Sequence, residues 1–280
     1  MWAESRISAT ALQRLAHAAV LDGLVQVPLV ALAKTGSWGL DASHCDRDCK
    51  RYLLRDLKLP GPSQNTIPCV DPKGAANNVV YEPVSILDPT LLIHTISHHY
   101  PEQYEILFAT SKVRSFWDEH KLNDPKLYNH PMLTVPNWKS TFVPLWIHQD
   151  GVEFQDRNSL DVASFGSVLA DGSALDTALY LVSWPHNCSH KHRGHADDTW
   201  GAIWRKLAFR FSQLYHGRFS EVDEFGDPWP DGSEEAARAG SWITPQQHRF
   251  VVFNLEGDRI HNSDEFGLPH HSKDTNQNTE

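Results

Sequence analysis

Two aspartates, Asp150 and Asp258, each stand at the polar end of an apolar, strand-like run. The runs span residues 141–154 (TFVPLWIHQDGVEF) and 249–258 (RFVVFNLEGD). Two carboxylates held close together bind the divalent ions of two-metal phosphoryl transfer, in which one ion activates the attacking oxygen and the other stabilises the leaving oxygen. The pair therefore predicts a catalytic site for phosphoryl transfer, with Mg²⁺ or Mn²⁺ as its metal.

Three more side chains are candidate ligands of this metal site. Glu256 lies two residues before Asp258, and His148 lies two residues before Asp150, so each shares the strand face of its neighbour. Glu153 is also near Asp150 in the sequence. Because two protein carboxylates hold Mg²⁺ poorly without substrate, we expect weak metal binding. In the alternative interpretation, both aspartates only end strands and bond to the backbone of the Gly-containing turn that follows.

A helix is predicted over residues 199–216, between the two aspartates. Asp198 and Thr199 are N-cap residues by type, and Gly217 suits the C-cap. Apolar side chains recur in this segment at three- and four-residue steps, which is the helical period: Trp200, Ile203, Trp204, Leu207, Phe211 and Leu214. We expect the helix to bury this stripe against one face of a mixed sheet.

Two further strand-like runs, residues 160–169 and 177–184, precede the helix. They are rich in Val, Phe, Trp and Leu, as strands often are. The order of elements is then strand, strand, strand, helix, strand, which is typical of an RNase H-like nuclease core. The sequence predicts an α/β (α+β) fold in which Asp150 and Asp258 come from adjacent strands, with their carboxylates within roughly 8 Å of each other.

The chain is predicted to consist of two parts, a mainly helical N-terminal region over residues 1–135 and the RNase H-like domain over residues 136–280. Prolines and asparagines between residues 123 and 138 indicate the joint. Signals for the start of a helix occur at several places in the first part: Ser8, Asp88 followed by Pro89, Pro101 and Val113.

The net negative charge of the chain comes entirely from its second half. The formal net charge is −10 at pH 7, and residues 1–140 carry equal numbers of acidic and basic side chains. Because nucleic-acid affinity comes mainly from basic contacts with phosphate, the acidic half disfavours DNA as a partner. Many of the acids lie in residues 218–240, whose Gly, Pro and Asp content predicts a solvated acidic loop.

Composition predicts a folded intracellular protein. Hydrophobic residues make up 40% of the 280 residues. No apolar run reaches the roughly 20 residues that a bilayer requires, so we expect no membrane partner. A leader peptide is not expected either, since no basic segment followed by an apolar one stands at the start. The 4 cysteines are irregularly spaced, which argues against a disulfide scaffold.

A second group of metal-ligand types is interpreted as an exposed basic loop. The chain has 17 histidines, so some fall close together by chance. Cys188, His190, His192 and His195 have the right types for tetrahedral Zn²⁺, but they crowd into one short segment. Zinc sites normally draw two ligands from each of two separated pairs. We therefore expect Zn²⁺ not to be a cofactor.

Several stretches of the sequence resemble a large, multicopy protein family of dinoflagellate genomes. They are residues 45–57 (CDRDCKRYLLRDL), 91–100 (LLIHTISHHY), 129–151 (NHPMLTVPNWKSTFVPLWIHQDG), 199–207 (TWGAIWRKL) and 257–269 (GDRIHNSDEFGLP). That family is in turn remotely similar to RNase H-like transposases of the three-carboxylate, DDE-type class.

The resemblance implies a transposase-derived, mobile-element protein that acts on DNA and is nuclear. It also implies a third catalytic carboxylate on a later helix, after a Cys-containing segment that follows the Gly-Leu-Pro motif. The chain departs from this pattern after His271, where a polar tail (SKDTNQNTE) begins. We therefore expect a C-terminally truncated, incomplete site that is inactive or weakly active, with Asp150 and Asp258 as its catalytic residues.

Two other functions stay open. His148 and Asp150 lie at i and i+2, and a His-x-Asp pair with a distant histidine is the ligand set of non-haem iron oxygenases. His248 or His261 would complete that set, although such a fold is nearly all strand and the helix at residues 199–216 would interrupt it. The remaining alternative is a non-catalytic binding module of a mobile-element remnant, with an unknown protein partner.

Overall fold

In the computed structural model the chain divides into two compact units, residues 1–61 and 62–280. The structure describes residues 8–24, 30, 32–35, 44–45, 47–48, 58–70, 79–120, 125, 127–155, 158–190 and 198–256. Four predicted site residues lie outside these described residues: His192, His195, Asp258 and His261. For Glu153 the structure describes the backbone and not the side chain.

The first unit contains helix α1, Ala9–Leu21. Ser8 caps this helix, since its hydroxyl accepts a hydrogen bond from the backbone N–H of Ala11 at 3.1 Å. The chain leaves the helix at Gly23, whose φ of +94° suits a residue without a Cβ. The helix start that the sequence predicted is therefore confirmed.

Two antiparallel strands, β1 (Ser63–Val70) and β2 (Val79–Ile86), open the second unit. They pair with each other along their whole length in a two-stranded sheet. The sequence predicted a mainly helical region up to residue 135 and did not predict this hairpin, which stands among the helices of that region. Pro68 and Pro83 lie inside these strands. Because proline inside an apolar run argues against a strand, the sequence did not indicate strands here.

Three helices follow, and each begins where the sequence predicted: α2 (Pro89–His99), α3 (Pro101–Phe108) and α4 (Val113–Glu119). Asp88 caps α2, because its Oδ1 accepts from the backbone N–H of Thr90 at 2.8 Å and of Leu91 at 3.3 Å. Trp117 of α4 donates from Nε1 to the carbonyl of Phe142 at 2.6 Å. These helices contact the sheet that follows and belong to the same compact unit, residues 62–280.

The main sheet has four strands: β3 (Phe142–Gln155), β4 (Asn158–Ser167), β5 (Leu179–Pro185) and β6 (Arg249–Glu256). Short helices precede β3 and β5: α5 (Trp138–Thr141) and α6 (Ala174–Thr177). The strand order is β5-β4-β3-β6. The first three strands are antiparallel neighbours, whereas β6 joins β3 in parallel. The predicted mixed sheet is confirmed, and its first and last strands lie side by side.

Helix α7, Thr199–His216, has the predicted bounds. The carboxylate of Asp198 caps it by accepting from the backbone N–H of Gly201, and Gly217 ends it with a φ of +71°. Phe211 contacts Phe165 of β4 with ring centroids 5.7 Å apart, so the helix packs on the sheet. Most of the predicted stripe is buried: Trp200, Ile203, Leu207, Phe211 and Leu214. Trp204 is half-buried.

Residues 217–248, between α7 and β6, form an insert of turns and one short helix, which includes the segment predicted as a solvated acidic loop. The insert contains helix α8 (Glu234–Arg238). Trp229 donates from Nε1 to the carbonyl of Ser220 at 2.9 Å, which ties two parts of the insert together. Lys206 of α7 pairs with Glu224 at 2.5 Å and attaches the insert to the helix. The acidic segment is therefore part of the fold, although much of it is at the surface.

Candidate functional site

Asp150 lies within β3 and not at its end, because the strand continues to Gln155. Side chains alternate across a strand. Gln149 is buried on the α7 side, where its Oε1 accepts from Trp204 Nε1 at 2.9 Å. His148 and Asp150 are half-buried on the other side of the sheet, which we call the outer face. The pairing of β3 with β4 is regular over these residues, so His148 and Asp150 lie on one face of the sheet.

Glu256 also belongs to the outer face. It is the last residue of β6 and pairs in register with His148, and paired residues on neighbouring strands point to the same side. Neighbouring strands lie about 4.8 Å apart and each residue advances about 3.3 Å, so the backbone positions of Asp150 and Glu256 are roughly 8 Å apart. The Glu256 side chain is exposed. The structure thus brings three of the predicted residues to one side of the sheet.

Asp150 has a backbone partner of its own. Its Oδ1 accepts a hydrogen bond from the N–H of Gly151 at 2.8 Å, which is the bond expected of a structural aspartate. Within the described part of the chain, no three His, Cys, Asp or Glu side chains group closely enough to hold a metal ion. Asp150, His148 and Glu256 therefore share one side of the sheet without forming such a group.

His248 does not join His148 and Asp150. It directly precedes β6, whereas His148 pairs with the last residue of that strand, so the two histidines are about 25 Å apart along the strand direction. The Nδ1 of His248 lies 3.0 Å from the hydroxyl of Tyr104. Burial lowers the pKa of His248 and raises the pKa of Tyr104, which keeps both groups neutral near pH 7. The oxygenase ligand set is therefore not assembled with His248.

Of the four residues of zinc-ligand type, the structure describes Cys188 and His190, and both are half-buried. The backbone N–H of His190 donates to Thr199 Oγ1 at 2.8 Å, which fastens this part of the loop to the start of α7. Burial raises the pKa of the Cys188 thiol, so the neutral thiol is favoured.

Asp161 of β4 is a buried carboxylate, 5% exposed, that was not among the site residues predicted from the sequence. Its Oδ2 lies 3.0 Å from His186 Nδ1 and accepts from Trp200 Nε1 at 3.3 Å. A carboxylate that lies against one ring nitrogen fixes the orientation of the imidazole. The sequence did contain a signal for this burial. Asp161 alternates in its strand with the apolar residues Ala163 and Phe165, which are also buried. The pair of Asp161 and His186 lies on the α7 side, opposite the outer face.

Trp146, on the outer face, packs over Gly166 of β4. A Cβ at position 166 would lie 2.5 Å from Trp146 Cζ2, closer than real Cβ atoms approach other atoms. We therefore expect Gly166→Ala to displace Trp146 and to lower the free energy of unfolding by about 1–3 kcal/mol. Urea denaturation of both proteins measures this difference.

The matched control is Gly151→Ala, beside Asp150. A Cβ at position 151 would meet its nearest neighbour, Asp161 Oδ1, at 3.5 Å, which is an ordinary contact. We expect this variant to change stability by less than about 0.5 kcal/mol. Similar losses in the two variants would show that the contact between Trp146 and residue 166 is not the cause.

Comparison with protein-family models, with curated proteins and with solved structures gave no significant match. Among the described residues, none of the helices combines the length and the hydropathy that crossing a bilayer requires.

Proposed function

We propose that this chain derives from an RNase H-like transposase and retains a partial divalent-metal site on the outer face of its main sheet. One observation carries the proposal: β6 lies next to β3 and parallel to it, and α7 precedes β6 in the chain. Three strands, a helix and a fourth strand that joins the first are the elements of an RNase H-like core, in which carboxylates from the first and fourth strands converge.

Asp150 is the main metal ligand of the proposed site. Its Oδ1 is engaged by Gly151, so Oδ2 is the oxygen that is best placed to bind a cation. Glu256 and His148 are the neighbours on the outer face, and Asp258 is the second catalytic carboxylate of the proposal. A bound Mg²⁺ or Mn²⁺ would supply charge stabilisation for the transfer of a DNA phosphoryl group.

Three features make the proposed activity weak. Mg²⁺ is held poorly by one or two protein carboxylates unless substrate phosphates add further ligands. Glu256 is exposed, and its backbone lies roughly 8 Å from that of Asp150. The two carboxylates must therefore come closer to each other before they can share an ion. The second half of the chain is acidic, so it attracts DNA phosphates poorly. We therefore propose feeble metal binding and little or no strand cleavage.

A non-catalytic binding module is the second candidate. It is favoured by the hydrogen bond from Gly151 to Asp150, because this bond gives the carboxylate a structural role that needs no metal. The two candidates differ in one measurable property, which is the dependence of metal binding on the charge of Asp150.

The test is titration of the full chain with Mg²⁺ and Mn²⁺ by calorimetry, followed by incubation with labelled duplex and single-stranded DNA. We expect a dissociation constant of about 1 mM or weaker, as in the weakest carboxylate sites, and no specific cleavage. Asp150→Asn keeps an oxygen for Gly151 and removes the charge, so we expect it to abolish the binding heat. Asp231→Asn, at an exposed aspartate of the insert, should bind metal as the parent chain does.

Each result has a distinct meaning. Equal metal binding by Asp150→Asn and the parent chain would remove the metal site and leave the non-catalytic module. Metal-dependent DNA cleavage that disappears in Asp150→Asn would show a complete catalytic site, and the proposal of a partial one would be wrong.

A further inference from the structure

A cleft lies between the first turn of α2, the second half of α7 and the insert. Its walls include Thr90, Arg210, Gln213, Trp229 and Arg238. Its cavity volume is about 20 Å³ for the centres of water-sized atoms, and a single water needs roughly 10–15 Å³ on that measure. The space therefore fits one or two small polar groups. The cleft is separate from the outer face, because α7 covers the other side of the sheet.

Two buried donors in this cleft lack an acceptor. Gln213 Nε2 and Arg238 Nε find no hydrogen-bond partner among the residues that the structure describes. Gln213 is only 4% exposed. Its Oε1 accepts from the backbone N–H of Ser220 at 3.3 Å, which fixes the amide so that Nε2 is the free end. A buried donor without a partner is unfavourable, so an occupant that supplies acceptor oxygens is favoured.

The unpartnered N–H groups of the cleft favour a planar group with two acceptor oxygens, such as a single carboxylate, as that occupant. Arg210 and Arg238 each pair with one carboxylate of the protein through one nitrogen. Arg210 Nε lies 3.0 Å from Asp88 Oδ2, and Arg238 Nη1 lies 3.2 Å from Glu234 Oε2. Guanidinium groups pair with planar carboxylates through their remaining N–H groups. Asp88 and Glu235 also line the cleft, and their negative charge opposes a doubly charged anion such as phosphate.

We propose that this cleft binds one carboxylate group, held by Gln213 Nε2 and by the free N–H groups of Arg238 and Arg210. The carboxylate belongs either to a small organic acid or to an acidic side chain of a protein partner. Both sources present the same planar group of two acceptor oxygens, and the size of the cleft admits that group with its remaining atoms at the mouth.

The test follows thermal unfolding of the full chain in sodium acetate and in sodium chloride of equal concentration. A ligand of the folded state raises the Tm in a saturable way. We expect acetate to raise the Tm above the chloride value. Gln213→Glu keeps the acceptor for Ser220 and puts a carboxylate into the cleft, so we expect it to abolish the acetate response. Arg238→Met keeps the packing on Phe219 and should need about tenfold more acetate.

Arg114→Met is the control, because Arg114 is an exposed residue of α4 and does not line the cleft. It should respond to acetate as the parent chain does. A capped tripeptide with one central aspartate, compared with its asparagine counterpart, separates the two sources. Saturation by the aspartate peptide at tenfold lower concentration than acetate assigns the cleft to a protein side chain, and a weaker response assigns it to a small acid.

Other outcomes would overturn the proposal. An acetate response no larger than the chloride response would mean that only water occupies the cleft. A response to phosphate but not to acetate would exclude a carboxylate. An acetate response that persists in both Gln213→Glu and Arg238→Met would place binding elsewhere. If Gln213→Glu does not fold, Arg238→Met alone decides the last point.

Discussion

Replacing Trp117 by alanine is expected to lower the free energy of unfolding by about 3–5 kcal/mol, the usual cost of deleting a large aromatic side chain from a core. Trp117 is fully buried. Its ring contacts Phe253 of β6 and Trp138 of α5, each with centroids 5.5 Å apart. Its Nε1 also holds the carbonyl of Phe142, the first residue of β3. Urea denaturation of the full chain, at unchanged m-value, measures the loss.

Trp117→Phe separates packing from hydrogen bonding. Phenylalanine keeps much of the apolar volume but removes the donor to Phe142, so we expect a loss of about 1–3 kcal/mol. If Trp117→Phe proves as destabilising as Trp117→Ala, the hydrogen bond and not the packed ring accounts for the effect. If neither variant loses stability, α4 does not support the start of the sheet.

The second large effect is expected at Asp88, which is 5% exposed and has two roles. It caps α2 through Oδ1 and pairs with Arg210 of α7 through Oδ2 at 3.0 Å. Loss of an N-cap costs about 1 kcal/mol, and breaking a buried ion pair from one side costs about 3–5 kcal/mol. Arg210 is partly exposed, which reduces the second figure. We expect Asp88→Ala to cost about 3–4 kcal/mol in urea denaturation.

A double-mutant cycle separates these two roles. Asparagine is a good N-cap, so Asp88→Asn keeps the cap, removes only the charge and should cost less than Asp88→Ala. Adding Arg210→Met removes the guanidinium that Asp88→Asn leaves unpaired, and we expect part of the lost stability to return. Strictly additive losses in Asp88→Asn and Arg210→Met would argue against an energetic coupling between α2 and α7.

Local signals predicted the helices well and the hairpin badly, for physical reasons. The bounds of α7 follow from residues next to each other in the chain, since Asp198 caps it and Gly217 ends it. The strands β1 and β2 contain Pro68 and Pro83, and they owe their structure to each other across the hairpin. The order of the insert likewise depends on distant contacts, such as that between Lys206 and Glu224, which no local pattern reveals.

The candidate site was predictable in part. Strand periodicity predicted that His148 and Asp150 share one face, and the order of elements predicted that the first and last strands are neighbours. The hydrogen bond from Gly151 to Asp150 forms inside strand β3. The sequence instead predicted that Asp150 stands at the end of this strand. The pair of Asp161 and His186 was missed because Asp161 lies in β4 and His186 directly follows β5, 25 positions later.

The parallel pairing of β3 with β6 has a consequence for the timing of folding. Strands β3, β4 and β5 are joined by short connections, so this meander can form soon after its residues are synthesised. Phe142 pairs with Arg249, about a hundred residues later in the chain. At 5–20 residues per second, the edge of β3 waits roughly 5–20 s for its partner during translation. Until then it presents unpaired backbone groups to other nascent chains, which makes this edge sensitive to aggregation during synthesis.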